Sequence, residues 1–269
     1  MVNVCWTGAA GLEFTFEGQT ILVDPYYTRI SLLNIFSGKV HPNLRLIKKI
    51  KEKKGDVTAI IAGHTHFDHV MDIPGFAAGS NCKVIGSESL DTLMTLLNMK
   101  DRTIVCKGNE TIQISNVASV EMIPSLHGLV AFGKVPFKGE ISELTELPMT
   151  AGDYRVGSVF TPLIKIKGTK FLHMGSSGFI ESQLENRQCD VVFLCVPGWK
   201  KVKNFPERVI ELLKPEVIVL FHYDAFYKVH KKKTPRLMFL GMNDMIKKIK
   251  KTSSGIKVIV PELFEIMEF

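Results

Sequence analysis

The stretch Val57 to His69 reads VTAIIAGHTHFDH, and the rest of the chain is organised around it. Its first five residues, Val57 to Ile61, are apolar and mostly β-branched, which predicts a buried strand; the small pair Ala62-Gly63 ends it. Three histidines and an aspartate come next within six positions: His64, His66, Asp68 and His69. The whole chain holds 8 His, so this clustering calls for a chemical reason. Residues two apart on an extended segment share a side, so His64 and His66 can offer two imidazoles to one ion. Asp68 and His69, as the turn tightens, can face a second position beside the first, where carboxylate with imidazole suits Zn, Mn or Fe.

The block His64-Thr65-His66-Phe67-Asp68-His69 resembles the His-x-His-x-Asp-His signature of the metallo-β-lactamase-fold hydrolases, and the resemblance extends over nearly the whole chain. It implies an α/β fold, a four-layer αββα sandwich with two mixed β-sheets, helices outside and the metal site at one rim. It also implies ligands at later strand exits. His127 comes after a predicted strand over Ala118 to Ile123 and stands where the third ligand of the first position is expected. His222, at the exit of a predicted strand over Glu216 to Phe221, matches the last ligand. Asp24 lies in an Asp-Pro pair that, by the same resemblance, steadies the ligand loop; read from the residues alone it is equally a turn aspartate bonded to its own backbone.

One departure matters. Two-metal members of the family carry Gly-Asp-Thr-Gly, whose Asp bridges the ions, where this chain has Gly175-Ser176-Ser177-Gly178. Two divalent cations would then meet a single carboxylate, Asp68, leaving about +2 in a partly buried pocket even with a hydroxide present. The expectation is one firmly held ion at His64, His66 and His127, with a second at Asp68, His69 and His222 weak or absent. Ser176 would hold a water or a substrate oxygen where the family places its carboxylate. His173 and Glu181 are weaker candidates to fill the gap.

Together these features predict a metal-dependent hydrolase, with zinc first and manganese or iron as alternatives. An ion on three histidines with an open position lowers the pKa of its water to about 7, and Asp68 would orient that water or act as general base. The strand-rich start, the Asp24-Pro25-Tyr26-Tyr27 segment and the ending Leu220-Phe221-His222-Tyr223 look most similar to the branch containing the ascorbate-phosphate lactonase and the N-acyl phosphatidylethanolamine phospholipase D. That resemblance implies a lactone, ester or phosphodiester bond in a small, anionic substrate. A metal- or ligand-binding member without turnover and a nuclease of the same superfamily are the competing readings.

Hydrophobic residues at 45% suffice for a sizeable core, and no Pro/Gly/Ser-rich linker divides the sequence, so residues 1–269 are expected to form a single domain. Residues 128–155 break the α/β rhythm and are expected to cover the site; Tyr26, Tyr27, Arg29 and Phe36, in a segment read as loop, are available to line a pocket. Helices are predicted over Pro42 to Lys53, closed by Gly55, over Met71 to Ala78 and over Leu237 to Lys250. The five cysteines are odd in number and scattered, as in a reduced compartment, and the N-terminus resembles no secretory leader, so a soluble cytoplasmic protein is expected. Net charge is +7, concentrated at Lys200, Lys201 and Lys203, at Lys231 to Lys233 and at Lys247 to Lys251. No aromatic-interleaved motif accompanies these runs, which argues against nucleic acid as partner and for a small-molecule substrate; a homo-oligomer stays open.

Overall fold

A computed structural model describes residues 1–54, 57–130, 133–229 and 233–269. Strands β1 (Asn3–Gly8), β2 (Gly11–Phe16) and β3 (Gln19–Val23) form an antiparallel meander. Helices α1 (Leu32–Ser37) and α2 (Leu44–Lys54) lead to β4 (Val57–Ile61), which pairs parallel to β3. After α3 (Phe67–Val70) and α4 (Ile73–Ala77), β5 (Lys83–Gly86), α5 (Glu88–Leu96) and β6 (Thr103–Val105) extend the parallel half.

The second sheet repeats that plan. Antiparallel β7 (Thr111–Ser115), β8 (Ala118–Pro124), β9 (Phe160–Ile166) and β10 (Thr169–Met174) come first. Past α6 (Glu181–Leu184), strands β11 (Val191–Cys195), β12 (Val217–Phe221) and β13 (Lys257–Ile259) add on in parallel, with α7 (Glu207–Leu213) and α8 (Met242–Thr252) between them. A last strand, β14 (Ile266–Glu268), returns to pair with β1. The sheet orders are β14-β1-β2-β3-β4-β5-β6 and β13-β12-β11-β10-β9-β8-β7, so both sheets are mixed, as the fold reading required.

Period-two alternation explains the layering. Ile21, Ala59, Ile61 and Ile85 point into the space between the sheets, where Phe14 packs edge-on against Phe171 at 5.3 Å and Phe193 at 5.9 Å. Leu22, Ile60 and Val84, one residue along, point the other way onto Ile47, Phe76, Leu90 and Leu93 of the outer helices. Each fully buried side chain of this size contributes roughly 1.5–3 kcal/mol. On the far side, α8 buries Met245 and Ile249, an i, i+4 pair, and exposes Lys247, Lys248, Lys250 and Lys251 as a solvated face.

Several local expectations change. The segment read as loop from Tyr26 to Val40 contains α1, a six-residue helix with no buried residue; Ser31 caps it by accepting from Asn34 N–H, a local device that hydrophobic period does not register. The single helix expected over Met71 to Ala78 is two short ones, and the first, α3, begins inside the metal motif at Phe67. The last helix starts at Met242, because Gly241 holds a left-handed φ of 65° just before it. Gly55, Lys231 and Lys232 lie outside the described residues. All five cysteines are free thiols, and among the described residues no helix is long and apolar enough to cross a membrane.

Candidate metal centre

Strands β3, β4, β8, β10 and β12 all run in a sense that puts their carboxyl ends at one rim, and the polar cluster is built on the segments that leave those ends. Asp24 comes directly after β3, the His64 to His69 loop after β4, His127 lies beyond β8, Ser176 beyond β10, and His222 directly after β12. Strand register fixes where such loops begin, so residues distant in sequence converge.

Two triads result. Ligand atoms of His64, His66 and His127 lie within 4.8 Å of one another, as do those of Asp68, His69 and His222. In the first triad the ring centroids are 4.8 to 4.9 Å apart and the planes nearly perpendicular, with His64 Nε2 3.1 Å from His66 Nδ1. In the second, Asp68 Oδ2 lies 3.9 Å from His69 Nε2 and 3.7 Å from His222 Nε2. The rings of His64 and His69, 3.7 Å apart, join the two.

Three of the five triad histidines have an outward ring nitrogen with a partner. His66 Nε2 donates to the Pro136 carbonyl at 3.0 Å, His127 Nδ1 to the Gly128 carbonyl at 2.7 Å, and His69 Nδ1 to Asp24 Oδ2 at 2.7 Å. Each bond fixes a tautomer and leaves the opposite nitrogen with a lone pair aimed at the cluster. Asp24 is fully buried and also accepts from Gly63 N–H at 2.7 Å, so its carboxylate bonds to the ligand loop and not to its own backbone. Gly63 lets the two approach closely: a Cβ there would come within 3.1 Å of Asp24 Oδ2, a tight contact. A donor set of imidazoles and one carboxylate, pre-aimed in this way, fits a divalent ion.

Electrostatics agree with that fit. Burial, with help from neighbouring imidazoles, holds His64, His66 and His69 well below the usual histidine range and His222 at about 3; burial also lowers His127 and His173. Burial pushes Asp24 and Asp68 up to about 7, with Asp24 and Asp224 adding to the effect on Asp68. The depressed imidazoles stabilise the fold above about pH 6.5 and cost stability as the pH falls below it, since the unfolded chain then takes up protons that the native chain refuses. The three raised carboxyls, Asp24, Asp68 and the likewise buried Asp72, act in the opposite sense above about pH 4, but six imidazoles outnumber them. Protein stripped of divalent ions is therefore expected to lose at least about 2 kcal/mol between pH 7 and pH 5, read from urea midpoints in chelator. A flat or rising profile would mean that the imidazoles are not held neutral.

Of the other residues singled out in the sequence, Ser176 is buried beside the first triad, where its Oγ accepts from Gly128 N–H at 2.8 Å. Tyr26 and Tyr27 do not line a pocket. Tyr26 is fully buried with its hydroxyl accepting from Ile30 N–H, while Tyr27 donates to Glu13 at 2.8 Å and stacks on Phe264. His173 turns to the Ala10 carbonyl at 2.8 Å and to Asp24 at 3.8 Å, and Glu181 pairs with Arg208 on the surface, so neither joins a triad. What the sequence did not single out is Asp224, fully buried, which accepts from Ala9 N–H and from the Arg29 guanidinium. Its only visible signal is a position two residues after His222.

A model of the family described as "Beta-lactamase superfamily domain" matches residues 3–222. The chain is 23% identical over 237 residues to the UPF0173 metal-dependent hydrolase of Polynucleobacter asymbioticus, covering 83% of this chain and 74% of that one. It is also 23% identical over 273 residues to the UPF0173 metal-dependent hydrolase of Archaeoglobus fulgidus, covering 100% and 99%. Among solved structures, Igni18, a metallo hydrolase from Ignicoccus hospitalis, superposes with a TM-score of 0.64 at 16% identity over 100% of this chain and 99% of its own, a likeness of fold.

Proposed function

The chain belongs to the beta-lactamase superfamily, and from that membership we propose that it is a metal-dependent hydrolase acting on a lactone, ester or phosphodiester bond of a small molecule. The observation that carries this reading is the pair of triads, with the tautomers of His66, His69 and His127 fixed from behind. A divalent ion on such ligands supplies a water ionising near pH 7 and polarises the bond under attack. The chain's own residues do the rest. Asp68 Oδ2, facing His69 and His222 across the second triad, orients the attacking water and takes its proton. Ser176, already accepting from Gly128 N–H, keeps its own hydrogen to donate to a substrate oxygen. Residues 128–155 act as the cover of a single domain spanning 1–269: Thr65 Oγ1 donates to the Arg155 carbonyl, the Ser89 hydroxyl to Glu140, and Pro136 reaches His66.

The two triads are unequal. His66 and His127 are each anchored by a backbone carbonyl, whereas, among the described residues, His222 Nδ1 is buried without a partner and burial disfavours the charged form of Asp68. One ion is therefore held firmly at His64, His66 and His127, with zinc favoured, and a second weakly at Asp68, His69 and His222. Chelated protein is expected to be inert toward generic lactone, ester and bis-phosphodiester reporters and to regain turnover on adding zinc. Metal analysis is expected to give one tightly held ion in the native chain and two in Ser176→Asp. Two tight ions in the native chain would sink the unequal-site reading, and absence of any reporter turnover after metal loading would sink the hydrolase reading.

A further inference from the structure

The surroundings of the histidine cluster are apolar on several sides. Phe137 stands edge-on to His66 with ring centroids 6.1 Å apart, and Phe226 stands edge-on to His222 at 6.2 Å, so an aromatic ring flanks a member of each triad. Both rings are half-buried. Leu126, Leu129 and Val130, on either side of His127-Gly128, are 54%, 40% and 39% exposed. Phe137 lies beside Gly152 in the turn Ala151–Asp153. Exposed apolar side chains beside a cluster of candidate ligands mark a binding face more often than an accident of composition.

Charge is arranged differently. Among the described residues, Arg29 is a cation whose charge acts on Asp68, but its guanidinium is committed to Asp224, to the Thr7 carbonyl and to the Phe226 carbonyl. The lysines on the same segments, Lys134, Lys138 and Lys228, are exposed, and Lys228 lies over the Tyr227 ring. A phosphate beside the scissile bond would find Arg29 already spent, while an apolar body would find two rings and three aliphatic side chains. We propose that the substrate is uncharged next to the scissile bond and carries an alkyl, acyl or aryl body, seated against Phe137, Phe226, Leu126, Leu129 and Val130. This rests on the hydrolase reading above and departs from the anionic substrate expected from sequence.

Two series on zinc-loaded protein test it. Straight-chain hydroxamates from acetyl to octanoyl, bound by isothermal titration, report the apolar seat without turnover; aryl esters of the same acids report it through kcat/KM. Affinity and kcat/KM are both expected to rise about twofold per methylene, about 60-fold over six, with partial burial of the chain. Val130→Asp and Leu129→Asp are expected to flatten the rise with chain length in both series. A flat or falling hydroxamate series, or a phosphorylated ester preferred over its neutral partner, would overturn the proposal and leave the hydrolase reading standing. A steep hydroxamate series with no ester hydrolysed would uphold the apolar seat and remove the hydrolase reading. Failure of every hydroxamate to bind would overturn both.

Discussion

His66→Ala is expected to lower kcat/KM for every hydrolysed reporter by at least about 10³-fold while the metal-free fold is retained. Losing one of three imidazoles removes the tight position, and without the ion the pKa of the attacking water returns from about 7 toward 15.7. The structural cost is small. His66 leaves behind the Pro136 carbonyl and a contact to His64, and one unsatisfied buried acceptor costs about 1–3 kcal/mol. Measured in chelator, thermal midpoints of native and variant chains should therefore differ by a few degrees. Added zinc should raise the native midpoint and leave the variant's where it is, since a ligand stabilises only the state that binds it. His41→Ala, at an exposed histidine far along the chain from the motif, should change neither turnover nor zinc stabilisation. Turnover within tenfold of native in His66→Ala would place the reaction outside the first triad.

How much of this was legible in the sequence depended on the range of the interaction. Strand β4 was read at its observed bounds, because a run of β-branched residues with a glycine stop is local information. The clustering of His64, His66, Asp68 and His69 was equally local. Nothing local marks His127 or His222; their positions came from the family resemblance, and the geometry now brings both to the cluster. Tyr26 and Tyr27 show the limit. An aromatic side chain reads the same in a pocket wall and in a core, and only the partners Glu13, Phe76 and Phe264 decide that Tyr27 belongs inside. Strand β14 was missed because three residues carry no period; it is a strand only because β1 offers it an edge. Asp24 was ambiguous for a similar reason, since an Asp-Pro pair fits a turn, and its bonds to Gly63 and His69 depend on a strand that comes much later in the chain.

The Arg29–Asp224 pair joins residues 195 positions apart, and breaking it carries the largest expected cost in stability. Asp224 Oδ2 accepts from Arg29 Nη1 at 2.6 Å and Oδ1 from Ala9 N–H at 2.9 Å; the carboxylate is fully buried, and the Arg29 side chain is 7% exposed. Asp224→Ala removes one partner and strands the other, leaving a guanidinium and an amide out of water, which costs about 3–5 kcal/mol. Removing both charges should be milder: Arg29→Met combined with Asp224→Ala is expected to recover more than half of that loss in a double-mutant cycle on urea midpoints. The site should respond as well. His222 holds a left-handed φ of 61°, a conformation that a non-glycine residue keeps only when its surroundings enforce it, and Asp224 ties the loop after it to β1 and to Arg29. With that tie gone, metal affinity at the second triad should fall about 10- to 100-fold while the first triad, anchored by Pro136 and Gly128, keeps its ion. A loss below about 1 kcal/mol would mean that the Thr7 and Phe226 carbonyls suffice to hold Arg29, and the pair would then be a consequence of the fold and not one of its supports.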